Sequence, residues 1–342
     1  MTCLRALPAC FLAVAATAAV PPAEKLLPTN TLAVVATGDF AAARAAWSRV
    51  AWARLWADPA MAEFRAHAES RLATNVAPPL AALLGADALE LAGLVTGPLA
   101  LAALTGAQGP VPLLLADTGS NAPGLAVELD AARSNWLAAG RSVTTNAAGS
   151  NATWTVEFPR TELAGIAAFL RGSPADGEPA ADAPPFRLTL GRAGGLLVAG
   201  GEAGAVAEVL ARAAGTGAGL ADVPVWQADA AAVPGGETWG GGGSGPLLLR
   251  PLLPGAGEGA PGARRSARPD AARVVSALGL DAVRSFGFGL ELAEAGPLAR
   301  WSIRIPPEAR RGPFRVLALE AGDAGGPGTV PAGAGPVPPG LV

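Results

Sequence analysis

The chain has 342 residues, 51% of them hydrophobic and 15% charged, with 45 glycines, 32 prolines and a formal net charge of −3. That is enough apolar sequence for one large core or two smaller ones. Lys25 is the only lysine and no basic run carries interleaved aromatics, which argues against nucleic acid as a partner. Cys3 and Cys10 are the only cysteines. Once a leader containing both is removed, disulfides, iron–sulfur clusters, thiolate zinc sites and cysteine nucleophiles are excluded together.

Residues 1–19 have the plan of a signal peptide: Arg5, an apolar core from Ala9 to Val20, and small residues at Ala16 and Ala18 ahead of Pro21-Pro22. The core is shorter than the roughly 20 residues that cross a bilayer as a helix. Cleavage after Ala18 or Ala19 is expected, leaving a periplasmic or secreted protein with no membrane-spanning segment. Thr31 to Ala36 then reads as a short buried strand. Asp39 is placed to cap a helix from Phe40 to Ser48, and Asp58-Pro59 repeats the signal. Met61, Phe64, Ala68 and Leu72 are spaced as one buried helical stripe. Trp47, Trp52 and Trp56 are expected to close a seam between helix and sheet. A short helix over Pro79 to Leu84 precedes two apolar runs, Leu91 to Leu104 and Val111 to Leu115, read as neighbouring strands about the turn Thr105 to Pro110.

Leu125, Leu129, Ala132 and Trp136 predict a helix ending at a left-handed Gly140. Trp154, Val156 and Phe158 alternate as a strand, and Thr161 caps an expected helix over Glu162 to Leu170. Phe186, Leu188 and Leu190 alternate again, Gly191 to Gly194 turn the chain, and Gly195 to Ala199 return it before a helix from Glu202 to Ala214. Further on, a helix through Val274, Val275 and Leu278 precedes a hairpin with Phe286, Phe288, Leu290 and Leu292 on one face of its first strand. Trp301, Ile303 and Ile305 share a face of its second, and a last helix runs from Pro307 towards Leu319. The order of elements favours an α+β fold, a largely antiparallel sheet covered by helices, over a doubly wound one. The organisation is a main unit at 24–230, a flexible Gly/Pro-rich segment at 231–268, a helix-hairpin-helix unit at 269–320 that completes the fold, and a flexible tail at 321–342. The hairpin is expected to pack against helices near 40–72 and 123–139.

Chemistry-bearing residues are sparse. His67 is the sole histidine and has no second imidazole with which to share a metal. Ser244 lies inside the run Gly240 to Gly245, with no nucleophile elbow around it. Asp39, Asp58, Asp117, Asp222, Asp229 and Glu237 are the acids a carboxylate-only hydrolase would draw on, since such an enzyme needs two facing one cleft. Asp39, Asp58 and Asp117 already have simpler explanations as caps and a turn. Gly215 to Gly219 follows a helix where a dinucleotide loop must precede one, and Gly194 to Gly201 lacks the Lys-Ser/Thr pair of a phosphate loop. Asn151-Ala152-Thr153 fits a glycosylation sequon. No catalytic, cofactor-binding or metal site is assigned.

Leu26 to Leu32, Gly38-Asp39-Phe40 and Leu55 to Met61, together with Asn135 to Gly140, Gly279 to Ser285 and Pro313 to Glu320, resemble segments of a family of exported bacterial proteins of unknown function found in verrucomicrobia and planctomycetes. The resemblance spans most of residues 24 to 320 and implies export and architecture, with no mechanism. Proteins of that kind continue beyond the position of Val342, and Gly235 to Gly262 departs from their pattern, as in a shortened or partly altered copy. The functional expectation is a non-catalytic envelope or periplasmic scaffold that contacts other envelope proteins or its own copies. A binding module for a peptide or apolar ligand and a carboxylate-dependent hydrolase are the alternatives.

Overall fold

The apolar, β-branched run after Pro28 forms β1 (Thr31–Thr37), the strand on which the two halves of the sheet meet. A computed structural model describes residues 20–106, 109–148, 151–159, 185–233, 238–244, 275–293 and 296–315. The other strands are β2 (Leu99–Gly106), β3 (Gly109–Asp117), β4 (Val143–Ala148), β5 (Asn151–Phe158), β6 (Phe186–Ala193), β7 (Leu196–Gly200), β8 (Trp239–Ser244), β9 (Ser285–Ala293) and β10 (Gly296–Arg304). All ten join one sheet in the order β10-β9-β8-β1-β2-β3-β7-β6-β5-β4. Every neighbouring pair is antiparallel, so the fold is α+β.

Strand alternation sends the sheet's side chains into two separate cores. On one face Val34, Ala100, Ala102, Leu113, Leu115, Leu196 and Val198 meet a short N-terminal helix, α1 (Ala23–Leu26), and the apolar side of α8 (Ala203–Ala213) through Val206, Val209 and Leu210. On the other face Val156, Phe158, Leu188, Leu190, Leu197 and Ala199 meet α7 (Ala122–Ala138) through Leu125, Leu129, Ala132 and Trp136. The four helical positions read from the sequence thus coincide with the four buried side chains of α7. Gly140 ends α7 with φ of 75°, the left-handed geometry expected there. Between β1 and β2 the chain runs through α2 (Phe40–Trp47), α3 (Ala51–Ala57), α4 (Ala62–Asn75), α5 (Ala77–Leu84) and α6 (Ala88–Leu94). A further helix, α9 (Pro224–Ala232), lies against β9 and β8.

Several expectations are corrected. The glycine run at 240–243 lies in β8, paired with β1 on one side and β9 on the other. The flexible segment expected over 231–268 is therefore ordered at Trp239–Ser244, where ladder hydrogen bonds on both sides offset the entropy of fixing glycine. Met61, Phe64, Ala68 and Leu72 do not form a buried stripe, because α4 has no buried residue. Trp47 and Trp52 are exposed and seal no seam. The run from Leu91 begins in α6, whose start Asp87 caps by accepting from the amides of Leu89 and Glu90, and the strand begins only at Leu99. β6 continues past Gly191 to Ala193, and the turn falls at Gly194, φ 59°. The hairpin does pack on α2, with Leu292 against Ala46 and Val50, but α7 packs at the far half of the sheet. Trp301 and Ile303 are 68% and 52% exposed, because β10 is an edge strand whose outer face no described helix covers. The last helix is interrupted: a single 3-10 turn at Pro307–Ala309 is followed by Gly312 at φ 53°, and helix begins again only at 313–315, where the described stretch ends. The leader, the helix expected over Glu162 to Leu170 and the tail at 321–342 lie outside the described residues.

Candidate functional site

Val223-Pro224 opens α9 with proline at its first position, where a missing amide costs nothing. One helical turn separates Trp226 from Asp229, so both side chains lie on the same side of α9. At one position the strands beneath carry no side chain: Gly242 in β8 and Gly287 in β9 pair with each other. A Cβ added at Gly242 would lie 3.1 Å from the Trp226 ring, and one at Gly287 would lie 3.3 Å from Val233. These glycines allow the helix to approach the sheet closely.

Asp229 is 4% exposed and accepts a 3.0 Å hydrogen bond from Nε of Arg304 on β10. Arg304 is paired with Ser285 in register and, as expected for alternation, points away from the Ile303 face. Its side chain is partly exposed, so the ion pair is anchored in the interior at the carboxylate and reaches solvent at the guanidinium.

A cleft of about 400 Å³ opens beside this pair. Val34, Ala36, Trp226, Ala230, Val233 and Phe288 supply its apolar wall, and Glu24, Thr37 and Asp229 supply polar atoms. A smaller cavity of about 170 Å³ shares Trp226 and Asp229 and is also lined by Thr31, Leu220, Gly243 and Ser285. Ser285 is 3% exposed, and its Oγ has no hydrogen-bond partner among the described residues. A buried hydroxyl in that state loses its hydration without compensation. The cleft presents apolar surface and the Asp229 carboxylate to a small guest, and the smaller cavity adds the Ser285 hydroxyl.

The other candidate acids are placed singly and already occupied. Asp39 accepts from the Ala42 amide at 2.7 Å, and Asp58 from the Ala60 amide at 2.8 Å, each as a cap. Asp117 ends β3, buried, and accepts from the Gly119 amide at 2.9 Å. Asp222 accepts from the Gly219 amide at 2.8 Å, closing the Gly215 to Gly219 loop onto a 3-10 turn. Glu237 lies outside the described residues. His67 is exposed on α4, and Asn151 begins β5. Ser244 is the last residue of β8. Gly194 to Gly201 contains β7 and the turn that precedes it. Among the described residues no group of three or more His, Cys, Asp or Glu side chains could hold a metal ion.

Trp226, Arg304 and Ser285 escaped the sequence reading as site residues. Val223-Pro224 was the available signal for α9, but Asp229 and Arg304 are 75 positions apart in the chain, beyond any local pattern. No protein-family model, curated protein or solved structure matches the chain.

Proposed function

We propose that this is an exported, non-catalytic binding protein whose cleft beside α9 takes a small, largely apolar molecule carrying one polar group. The carrying observation is the cleft itself: about 400 Å³, walled by Trp226, Phe288 and aliphatic side chains, with the buried Asp229, ion-paired to Arg304, at its margin. That volume is in the range of small-molecule sites, which combine apolar walls with a few fixed polar groups. The leader at 1–19 supports export, and hence a periplasmic or secreted location. Glu24 and Asp229 both line the cleft, but the hydrolase reading has less support because Asp229 is held in an ion pair, and Asp39, Asp58, Asp117 and Asp222 are engaged by backbone amides elsewhere.

Isothermal titration with hexanol, octanol and decanoate tests the proposal. One of them should bind saturably with one-to-one stoichiometry and a negative heat-capacity change, the mark of apolar burial. Ala230→Phe, which fills the cleft, should abolish that binding while the variant unfolds cooperatively. Saturable binding that survives Ala230→Phe unchanged, or none by any of the three, would refute the assignment. The scaffold reading retains separate support in the exposed apolar side chains of residues 47–72.

A further inference from the structure

Short helices are marginal in water unless an apolar face is buried. Yet α3, α4, α5 and α6 contain no buried residue, and Trp47, Trp52, Leu55, Phe64 and Leu72 stand exposed along this part of the chain. Trp52 is 57% exposed. Trp47, Trp52 and Trp56 line an open groove of about 490 Å³. Trp56 meets the edge of Phe64 at 5.8 Å between ring centroids, which makes the aromatic surface continuous from α3 to α4.

The charge on the tryptophan-bearing part of this surface has one sign. Phe40 to Ala57 contains Arg44, Arg49 and Arg54 and no acid, within a chain of net charge −3. All three arginines are exposed, and among the described residues none has a salt bridge. The flanking acids, Asp39 and Asp58, are taken up as caps. On α4, Glu63 and Glu69 are balanced by Arg65 and Arg71. Within α3, Trp52, Leu55 and Trp56 share a face at helical spacing, and Arg54 projects from the opposite side. Tryptophan and arginine so disposed match the boundary between acyl chains and phosphates: the indole is amphipathic, and the long arginine stem lets its charge reach the headgroups.

We infer that residues 44–72 form a docking face for the surface of a bilayer containing anionic phospholipid. Trp47, Trp52, Leu55 and Phe64 enter the interface, and Arg44, Arg49 and Arg54 meet the lipid phosphates. The proposed contact is at the membrane surface; no single helix among the described residues is long and apolar enough to cross a membrane, although the bent pair α5–α6 passes by length and composition. It is independent of the cleft beside α9.

Flotation of the full chain with vesicles tests the inference, using phosphatidylcholine alone or mixed with phosphatidylglycerol. The chain should float with the mixed vesicles far more than with the neutral ones, and less as salt is raised. Trp47→Ala/Trp52→Ala should lower partitioning at least tenfold, and each of Arg49→Gln and Arg54→Gln should lower it about fivefold on anionic vesicles only. Circular dichroism of these surface variants should match the parent. Independently of any variant, bromine-labelled acyl chains should quench tryptophan emission of the parent chain. Equal flotation with both vesicle types, undiminished flotation of the double variant, or absence of quenching would overturn the inference. Self-association that disappears in the double variant without vesicle binding by the parent would overturn it in favour of a face between copies.

Discussion

Replacing Trp136 tests whether α7 holds the helical excursion to the sheet. Trp136 is 1% exposed, meets Phe158 edge-on at 6.5 Å between centroids, and donates from Nε1 to the Ala82 carbonyl in α5 at 3.2 Å. The neighbouring Asn135 donates from Nδ2 to the Gly85 carbonyl at 2.8 Å, so consecutive residues grip the end of α5. A buried tryptophan removes on the order of 200 Å² from water, which at about 25 cal/mol per Å² is roughly 5 kcal/mol. Trp136→Ala should therefore cost about 3–5 kcal/mol, since its surroundings relax only partly into the void. Trp136→Phe keeps much of the ring but strips the Ala82 carbonyl of its donor, and should cost about 2 kcal/mol. Asn135→Ala should cost about 1 kcal/mol and increase proteolytic cutting within 77–94 more than elsewhere. Urea unfolding followed by circular dichroism measures the three. A loss below about 1 kcal/mol for Trp136→Ala would mean that this side chain is not the anchor its burial indicates.

Two further tests address the hairpin and the caps. Phe286→Ala should cost about 3–5 kcal/mol and Ile303→Ala less than about 1 kcal/mol, because their facing positions on β9 and β10 are 8% and 52% exposed; equal losses in urea would contradict that asymmetry. Asp39→Ala and Asp87→Ala should each lower the unfolding free energy by about 1 kcal/mol, and serine at either position should restore most of it.

Periodicity located elements better than it located their neighbours. The Leu125-Leu129-Ala132-Trp136 spacing in α7 and the Val206-Val209-Leu210 cluster in α8 identified buried faces because each helix lies over the sheet. The same spacing in α4 identified a face that no described element buries. Period two in β10 separated Trp301 and Ile303 from Arg300 and Arg304, but alternation cannot say which face of an edge strand receives a helix. The glycines of β8 misled for a related reason. Their composition argues against order, while their neighbours supply what they lack: a Cβ at Gly241 would lie 2.8 Å from the Phe288 ring. The caps at Asp39 and Asp58 were legible because each is local. The cleft was not, because α1, β1, α9, β8 and β9 all contribute to its wall.

The position of β8 also sets a schedule for synthesis. β1 pairs with β2, which follows some sixty residues later, and with β8, whose pairing residues are 240–243. As the chain emerges from its N-terminus, β1 to β7 can assemble while one side of β1 still offers unpaired amides and carbonyls. Such an open edge is a template for adding a foreign strand, and it persists until the glycine segment arrives. A chain ending before Trp239 would keep that edge permanently. A strand of six residues, four of them glycine, therefore separates a sheet that terminates in hairpins from one prone to polymerise through its middle.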